Sequence, residues 1–88
     1  MEITFDPDKN VKNIEKHGVS LADAEAFEWD SAAIWPDFRK VYGEDRMIGL
    51  GYIGMRLFYV VFVDRDGIRR IISLRKTNLR EVKRYAKT

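Results

Sequence analysis

Four side chains have the chemistry for proton transfer and charge stabilisation: His17, Arg75, Glu81 and Tyr85. Imidazole is the obvious base at neutral pH, with an ordinary pKa near ~6.5, whereas a tyrosine at ~10 acts most easily as a donor. The guanidinium of Arg75 stays charged and can grip two phosphate oxygens. Glu81 can position Tyr85 or serve as a base. These groups suit RNA phosphodiester transfer, in which a base deprotonates the 2′-hydroxyl, cations stabilise the phosphorane and an acid protonates the 5′-oxygen.

Further cationic and amide side chains are predicted to bind a polyanion. Lys9, Asn13 and His17 recur every four residues and therefore share one face of the first predicted helix, with Lys16 beside His17. The last predicted helix carries a basic flank of its own. The predicted RNA-binding set is Lys9, Asn13, Lys16, Arg46, Arg70, Arg80 and Arg84.

The same residues also have structural interpretations. A histidine near a helix C-terminus commonly caps the helix, a tyrosine at the edge of a core commonly packs, and Arg75 can pair with an acid. Arg69 and Arg70 alternate across one strand, so one of them must point toward the covered side. Because a buried arginine needs a partner, Glu44 or Asp45 could supply the acid, and an ordinary salt bridge explains this pattern as well as a functional site does.

The charges are distributed unevenly along the chain. Residues 1–64 hold seven Lys/Arg and twelve Asp/Glu, a net charge of −5, whereas residues 65–88 hold nine and two, a net charge of +7. A basic segment of this kind is typical of a polyanion-binding face, and also of a solvated basic helix. The two signs suit two partners of opposite charge.

Composition excludes several kinds of site. The chain has no cysteine and one histidine, which excludes disulfides, thiolate metal sites and zinc sites built on several histidines. No carboxylate cluster has metal-ligand spacing, so we expect no metal and no cofactor. The longest apolar run, Leu57 to Val63, is too short to cross a bilayer, and the N-terminus lacks a signal-peptide pattern. We therefore expect one domain, residues 1–88, in the cytoplasm.

The N-terminal half predicts a short strand and two helices. Glu2 to Phe5 reads as a strand, and Asp6-Pro7 begins a helix that runs to about Lys16, with Val11 and Ile14 as its apolar stripe. A second helix follows Ser20 to about Phe27, burying Leu21, Ala24 and Phe27. Ala33 to Trp35 reads as a strand, and residues 37–45 as a loop.

The C-terminal half predicts three strands and a helix. The strands span Arg46 to Tyr52, Arg56 to Val63 and Ile68 to Arg75, with the second one central and a hairpin at Asp66-Gly67. Asn78 begins the last helix, whose buried stripe is predicted to be Leu79, Val82 and Ala86. The order β-α-α-β-β-β-β-α predicts an α+β fold with a small twisted antiparallel sheet.

The sequence resembles the BrnT family over nearly its whole length. The N-terminal match comprises Phe5-Asp6-Pro7, Lys9, Asn13, the block Lys16-His17-Gly18-Val19-Ser20 and Ala24. The later match comprises Glu44, Arg46, Gly49, the apolar strand after Gly54, the block Arg70-Ile71-Ile72-Ser73, and Arg75, Glu81 and Tyr85.

This resemblance implies a RelE-like fold and an endoribonuclease toxin of a type II toxin–antitoxin pair that cleaves RNA without a metal. It also implies a BrnA-like ribbon-helix-helix antitoxin, a heterotetramer of two toxins and two antitoxins, and joint repression of their own promoter DNA. Arg75 and Tyr85 sit in places comparable to the arginine and tyrosine of RelE-like enzymes. The alternatives are a non-catalytic nucleic-acid-binding module and a protein-interaction module, which metal-free RNA cleavage separates from the toxin.

Overall fold

A computed structural model describes residues 1–39 and 41–88. The strands are β1 (Glu2–Thr4), β2 (Ala33–Pro36), β3 (Met47–Ile53), β4 (Arg56–Arg65) and β5 (Ile68–Lys76). The α-helices are α1 (Pro7–His17) and α2 (Leu79–Ala86), and two 3₁₀ helices span Leu21–Ala26 and Trp29–Ser31. No helix in these two ranges is long and apolar enough to cross a membrane.

The α+β class is confirmed, but the prediction of an antiparallel sheet is wrong at one edge. The five strands lie in the order β1-β5-β4-β3-β2, with β4 central as predicted. β1 pairs with β5 in parallel, with Glu2 opposite Ile68 and Thr4 opposite Arg70. No hairpin joins β1 to β5, so nothing in the connection requires them to be antiparallel. The sheet is therefore mixed.

The predicted second α-helix is a 3₁₀ helix, which corrects the predicted element order. Leu21, Ala24 and Phe27 are buried as expected, and they recur every three residues. A 3₁₀ helix has three residues per turn, so this spacing aligns all three side chains on one face. The short Trp29–Ser31 turn then leads into β2.

The sheet carries a separate apolar cluster on each face. Phe58, Val60 and Phe62 of β4 pack with the buried residues of the Leu21–Ala26 segment. Tyr59 and Val61 point to the opposite face, where Ile48, Leu50, Trp35, Ile72 and Tyr85 join them. Because successive residues of a strand alternate, β4 supplies both clusters. The second face carries α2 and, as described below, the candidate site.

Helix α1 packs through amide side chains and not through the predicted apolar stripe. Asp6 caps its N-terminus and Gly18, in the left-handed conformation, ends it, as expected. Val11 and Ile14 are nevertheless exposed. Instead, the Asn10 Oδ1 accepts a hydrogen bond from the Leu21 N–H at 2.7 Å, and Asn13 is buried.

Asn13 takes the place of a missing strand neighbour along β5. β1 pairs only with residues 68–70, so the outer edge of β5 beyond Arg70 needs other partners. The Asn13 Nδ2 donates to the Leu74 carbonyl and to the Val19 carbonyl, each at 2.8 Å. Its Oδ1 accepts from the Leu74 N–H at 3.3 Å. This predicted RNA-binding amide is thus used to join α1 to the sheet.

Helix α2 also presents a different face from the predicted one. Leu79, Val82 and Ala86 are exposed, and the Leu79 side chain is 69% accessible. The residues that contact the sheet are Glu81, Arg84 and Tyr85. The Asn78–Glu81 capping box is present as predicted, and together with an ion pair described below it fixes this rotation of the helix.

Replacing Asn13 with alanine is expected to destabilise the fold by about 2–4 kcal/mol, because the Val19 carbonyl and both backbone groups of Leu74 lose a buried partner. The free energy of unfolding from urea titration measures this. Lys12→Ala, on the exposed side of the same helix, is the matched control and should change it by less than about 0.5 kcal/mol. Equal stability of the two variants would contradict the role of Asn13 as a structural bridge.

Candidate active site

The Arg75–Glu81 ion pair lies at the centre of the site. Arg75, near the end of β5, donates from Nη1 and Nη2 to the two carboxylate oxygens of Glu81 at 2.8 and 2.7 Å. The Glu81 Oε1 also accepts the Asn78 N–H at 3.0 Å. The guanidinium is therefore held in a fixed orientation, and part of the Arg75 side chain is open to solvent.

This contact raises the pKa of Arg75 and lowers the pKa of Glu81, so it favours the charged form of both groups. The Glu81 hydrogen bond is the main cause of a raised Arg75 pKa. For Glu81, burial alone would raise the pKa, but the hydrogen bonds from Arg75 and from the Asn78 N–H outweigh it and lower the pKa. Both groups are charged at neutral pH. The structural interpretation of Arg75 as a partner of an acid thus holds for the free protein.

Tyr59 lies under Arg75, and the sequence did not indicate it as a site residue. The Arg75 guanidinium carbon is 4.1 Å from the centre of the Tyr59 ring, a cation–π contact. Burial raises the Tyr59 pKa, so its hydroxyl is protonated at neutral pH. In sequence, Tyr59 resembles any other aromatic residue of a central strand, and only the register that places it opposite Arg75 reveals the contact.

His17 lies beside the same strand end, at the C-terminus of α1. It lines a groove along β5 together with Lys9, Lys12, Asn13, Lys16, Ile72 and Ser73. Burial is the main cause of a lowered His17 pKa, followed by the charges of Lys16 and Arg75. The imidazole is therefore mainly neutral at pH 7. It makes no hydrogen bond within the described ranges, and Gly18, whose N–H donates to the Ile14 carbonyl, caps α1 instead.

Tyr85 lies away from His17. Its hydroxyl donates to the Ser31 carbonyl at 3.0 Å, and its ring packs edge-on against Tyr52 with the centroids 5.7 Å apart. Ser31 leads into β2, which is three strands from β5, roughly 14 Å at ordinary strand spacing. The structure thus pairs Arg75 with Glu81, places His17 in a separate groove along β5 where the Arg75 charge still lowers its pKa, and places Tyr85 in a packing position.

Residues 37–39, in the predicted loop, complete one wall of the site. The Asp37 carboxylate is buried and accepts hydrogen bonds from the Arg39 side chain at 2.8 Å and from the Tyr42 hydroxyl at 3.1 Å. The Arg39 hydrogen bond is the main reason that the Asp37 pKa falls to about 2. The Arg39 pKa is raised in turn. No periodic pattern marked this segment as part of a site.

An open cleft of about 460 Å³ separates this wall from α2. Its floor comprises Ile48, Leu50 and Tyr59, and Glu81 lies on the α2 side. Its rim carries both aromatic and cationic side chains: Trp35, Phe38, Arg39, Arg80 and Arg84. The arrangement offers apolar contact below and positive charge above, which suits an anionic ligand with a flat apolar part.

The predicted RNA-binding residues do not lie in one place: some line the cleft or the neighbouring groove, and others lie elsewhere. Arg80 and Arg84 border the cleft, and Lys9 and Lys16 line the neighbouring groove of His17. Arg46 lies elsewhere, paired with Glu44 at 3.0 Å and stacked on the Tyr42 ring. Arg70 is at the opposite end of β5 from Arg75, 3.9 Å from an Asp6 oxygen. Asn13 serves the backbone contacts described above.

Arg69 is the more buried arginine of the Arg69–Arg70 pair, and its acidic partner is neither Glu44 nor Asp45. Arg69 donates to both Asp64 carboxylate oxygens, at 2.7 and 2.8 Å, and covers the Trp29 and Phe62 rings. Glu44 pairs with Arg46 instead. Asp64 lies opposite Arg69 in the hairpin register, which places the nearer carboxylate beside it. Residues 1–39 and 41–88 contain no group of three or more potential metal ligands.

A family model for the ribonuclease toxin BrnT of type II toxin–antitoxin systems matches residues 5–81. The chain belongs to the BrnT family. The matched span includes His17, Arg75 and Glu81 and ends before Tyr85. BrnT proteins are ribonuclease toxins, so an RNA target and an antitoxin partner follow from the family. A comparison with curated proteins gives no match.

The pKa of His17 is expected to lie below 6.5 and to rise toward that value in Lys16→Gln, because this substitution removes a nearby positive charge. Proton NMR titration measures it on a single imidazole resonance, since the chain has one histidine. Lys12→Gln, in the same groove but not a cause of the shift, is the control. A wild-type pKa at or above 6.5, or equal shifts in both variants, would contradict this environment.

Proposed function

We propose that this BrnT-family chain is an endoribonuclease that cleaves RNA without a metal ion, with Arg75 as the group that stabilises charge on the reacting phosphate. The main support is the fixed Arg75 guanidinium, which contacts Tyr59 and Glu81, two residues that line a cleft with three arginines on its rim, in a chain of a ribonuclease family. A fixed guanidinium needs little reorganisation when charge develops on the phosphate oxygens. Lys9, Lys16, Arg80 and Arg84 would hold the neighbouring phosphates.

The proposed reaction is internal transfer of the phosphodiester. A base removes the proton of the 2′-hydroxyl, the 2′-oxygen bonds to phosphorus, and the bond from phosphorus to the 5′-oxygen breaks. An acid gives its proton to the departing 5′-oxygen, which leaves a 2′,3′-cyclic phosphate and a 5′-hydroxyl. Neutral His17 is suited to accept the first proton, and the nearby Arg75 charge favours that neutral form.

Glu81 and Tyr85 have different places in this proposal. Glu81 holds the Arg75 fork in the free protein, so a phosphate must share or replace that contact when RNA binds. An ionised Glu81 with a lowered pKa is a weak base, which favours the positioning role. Tyr85 remains a proposed proton donor only if RNA reaches across the sheet to it, because its hydroxyl is bonded to Ser31.

The proposal extends to the partner and the setting. We propose a BrnA-like ribbon-helix-helix antitoxin, an assembly of two toxins and two antitoxins that represses its own promoter, a RelE-like fold and action in the cytoplasm. The exposed Leu79, Val82 and Ala86 stripe, with Arg80 and Arg84 beside it, suits an acidic amphipathic segment of the antitoxin. Light scattering on the co-purified complex tests the stoichiometry, and a one-to-one heterodimer would contradict it.

The purified chain should cleave single-stranded RNA at the same rate in excess EDTA and in Mg²⁺, because the proposed base, His17, and the proposed charge stabiliser, Arg75, are both side chains. Products should carry a 2′,3′-cyclic phosphate or 3′-phosphate, which end-group mapping identifies. Strict Mg²⁺ dependence with 5′-phosphate products would contradict this mechanism. RNA binding without cleavage would favour the alternative of a non-catalytic nucleic-acid-binding module.

A further inference from the structure

Phe38 is an aromatic side chain whose exposure the fold does not explain. Its side chain is 86% accessible, although it lies on the rim of the cleft next to the buried Asp37. Neither of the two apolar clusters found among residues 1–39 and 41–88 includes it. An exposed aromatic ring beside a concave apolar surface is typical of a ligand-binding position.

Another part of the rim is formed by a stacked pair, Trp35 and Arg84. The Arg84 guanidinium carbon lies 3.9 Å from the centre of the Trp35 ring. Both groups are flat, and a guanidinium plane can stack on a nucleobase as an aromatic ring does. The floor of the cleft consists of Ile48, Leu50 and Tyr59, three buried residues that make it mainly apolar.

Size and charge restrict the occupant. A cleft of about 460 Å³ is within the range of small-ligand sites, roughly 300–1,000 Å³, and accommodates one flat ring system with its attached sugar. The cleft lining holds three arginines, Arg39, Arg80 and Arg84, and two acids, Asp37 and Glu81, so an excess of positive charge favours an anion. Arg75 lies at the Tyr59 edge of the floor. An apolar flat group joined to phosphates on its outer side fits both features.

We propose that this cleft binds one unpaired nucleobase of the RNA, stacked against Phe38, next to the phosphate at Arg75. This inference rests on the proposed ribonuclease function and specifies its substrate as single-stranded RNA. In an A-form duplex the bases are paired and stacked inside the helix, so none can enter the cleft without being extruded. The contact is between the face of the base and the face of the Phe38 ring.

The polar groups of the cleft indicate tolerance toward base identity. The Asp37 carboxylate, which could read a base edge, is already bonded to Arg39 and Tyr42. Stacking uses the π-face that every base possesses, so it discriminates weakly between sequences. The cleft would therefore select an unpaired strand more strongly than a particular base.

The test compares three ligands by fluorescence anisotropy. They are a 2′-O-methyl oligonucleotide, which resists cleavage, its duplex, and an abasic strand of equal length and charge. Wild type should bind the single strand tightest. Phe38→Ala should weaken single-strand binding by about 5- to 150-fold, equivalent to ~1–3 kcal/mol for one stacked base, and leave abasic binding unchanged. Phe38→Trp should restore the affinity.

Met55→Ala is the matched control, because Met55 is 99% exposed and does not line the cleft. Unchanged single-strand affinity in Phe38→Ala, or equal wild-type affinity for the single strand and the duplex, would overturn the proposal. Cleavage of unmodified RNA is measured separately. Base-dependent binding without cleavage would contradict the ribonuclease function alone, whereas cleavage with no Phe38 effect on binding would contradict the nucleobase site alone.

Discussion

The bidentate contact between Arg75 and Glu81 links the sheet to the C-terminal helix and to the candidate chemistry. Glu81 accepts two hydrogen bonds from Arg75 and completes the capping box with Asn78. These bonds set the rotation of α2, which leaves Leu79 and Val82 exposed and turns Glu81 toward the cleft. The same contact holds the guanidinium over Tyr59, where a phosphate can reach it. One ion pair thereby determines the shape and the charge of the site.

Local signals predicted most of the elements. The Asp6 cap, the Gly18 end of α1, the Asp66-Gly67 turn and the Asn78–Glu81 capping box all involve residues close in sequence, and all are present. The wrong predictions concern features that depend on contacts between residues far apart in sequence. β1 pairs in parallel with a strand more than 60 residues away, and Asn13 bonds to Leu74, so neither feature has a local signature. Burial of an asparagine in place of Val11 or Ile14 also reverses the usual hydrophobic pattern.

The sequence predicts the kind of chemistry at the candidate site better than it predicts which residues form the site. Side-chain type and family resemblance single out His17, Arg75 and Glu81; the structure pairs Arg75 with Glu81, and the Arg75 charge contributes to the lowered His17 pKa. The sequence does not identify Tyr59 and Phe38 as site residues, because the spacing of aromatic residues in strands and loops is the same in a binding site and in a core. Arg46 and Arg70 were included for their charge, but strand register places them beside their own acidic partners. The position of Tyr85 could not be predicted from sequence either, since its packing against Tyr52 depends on how α2 is oriented on the sheet.

The single-turnover RNA cleavage rate of Arg75→Gln tests the central claim most directly. Glutamine can still donate a hydrogen bond to Glu81 but has no charge to stabilise the phosphorane. The account predicts a rate about 10²–10³ lower than wild type, measured at a temperature where the variant is folded, because the melting temperature is expected to fall when Glu81 loses its charged partner. Arg65→Gln, on the exposed hairpin at the other end of β5, should cleave at the wild-type rate. Wild-type cleavage by Arg75→Gln would contradict the assignment of Arg75 as the group that stabilises the reacting phosphate.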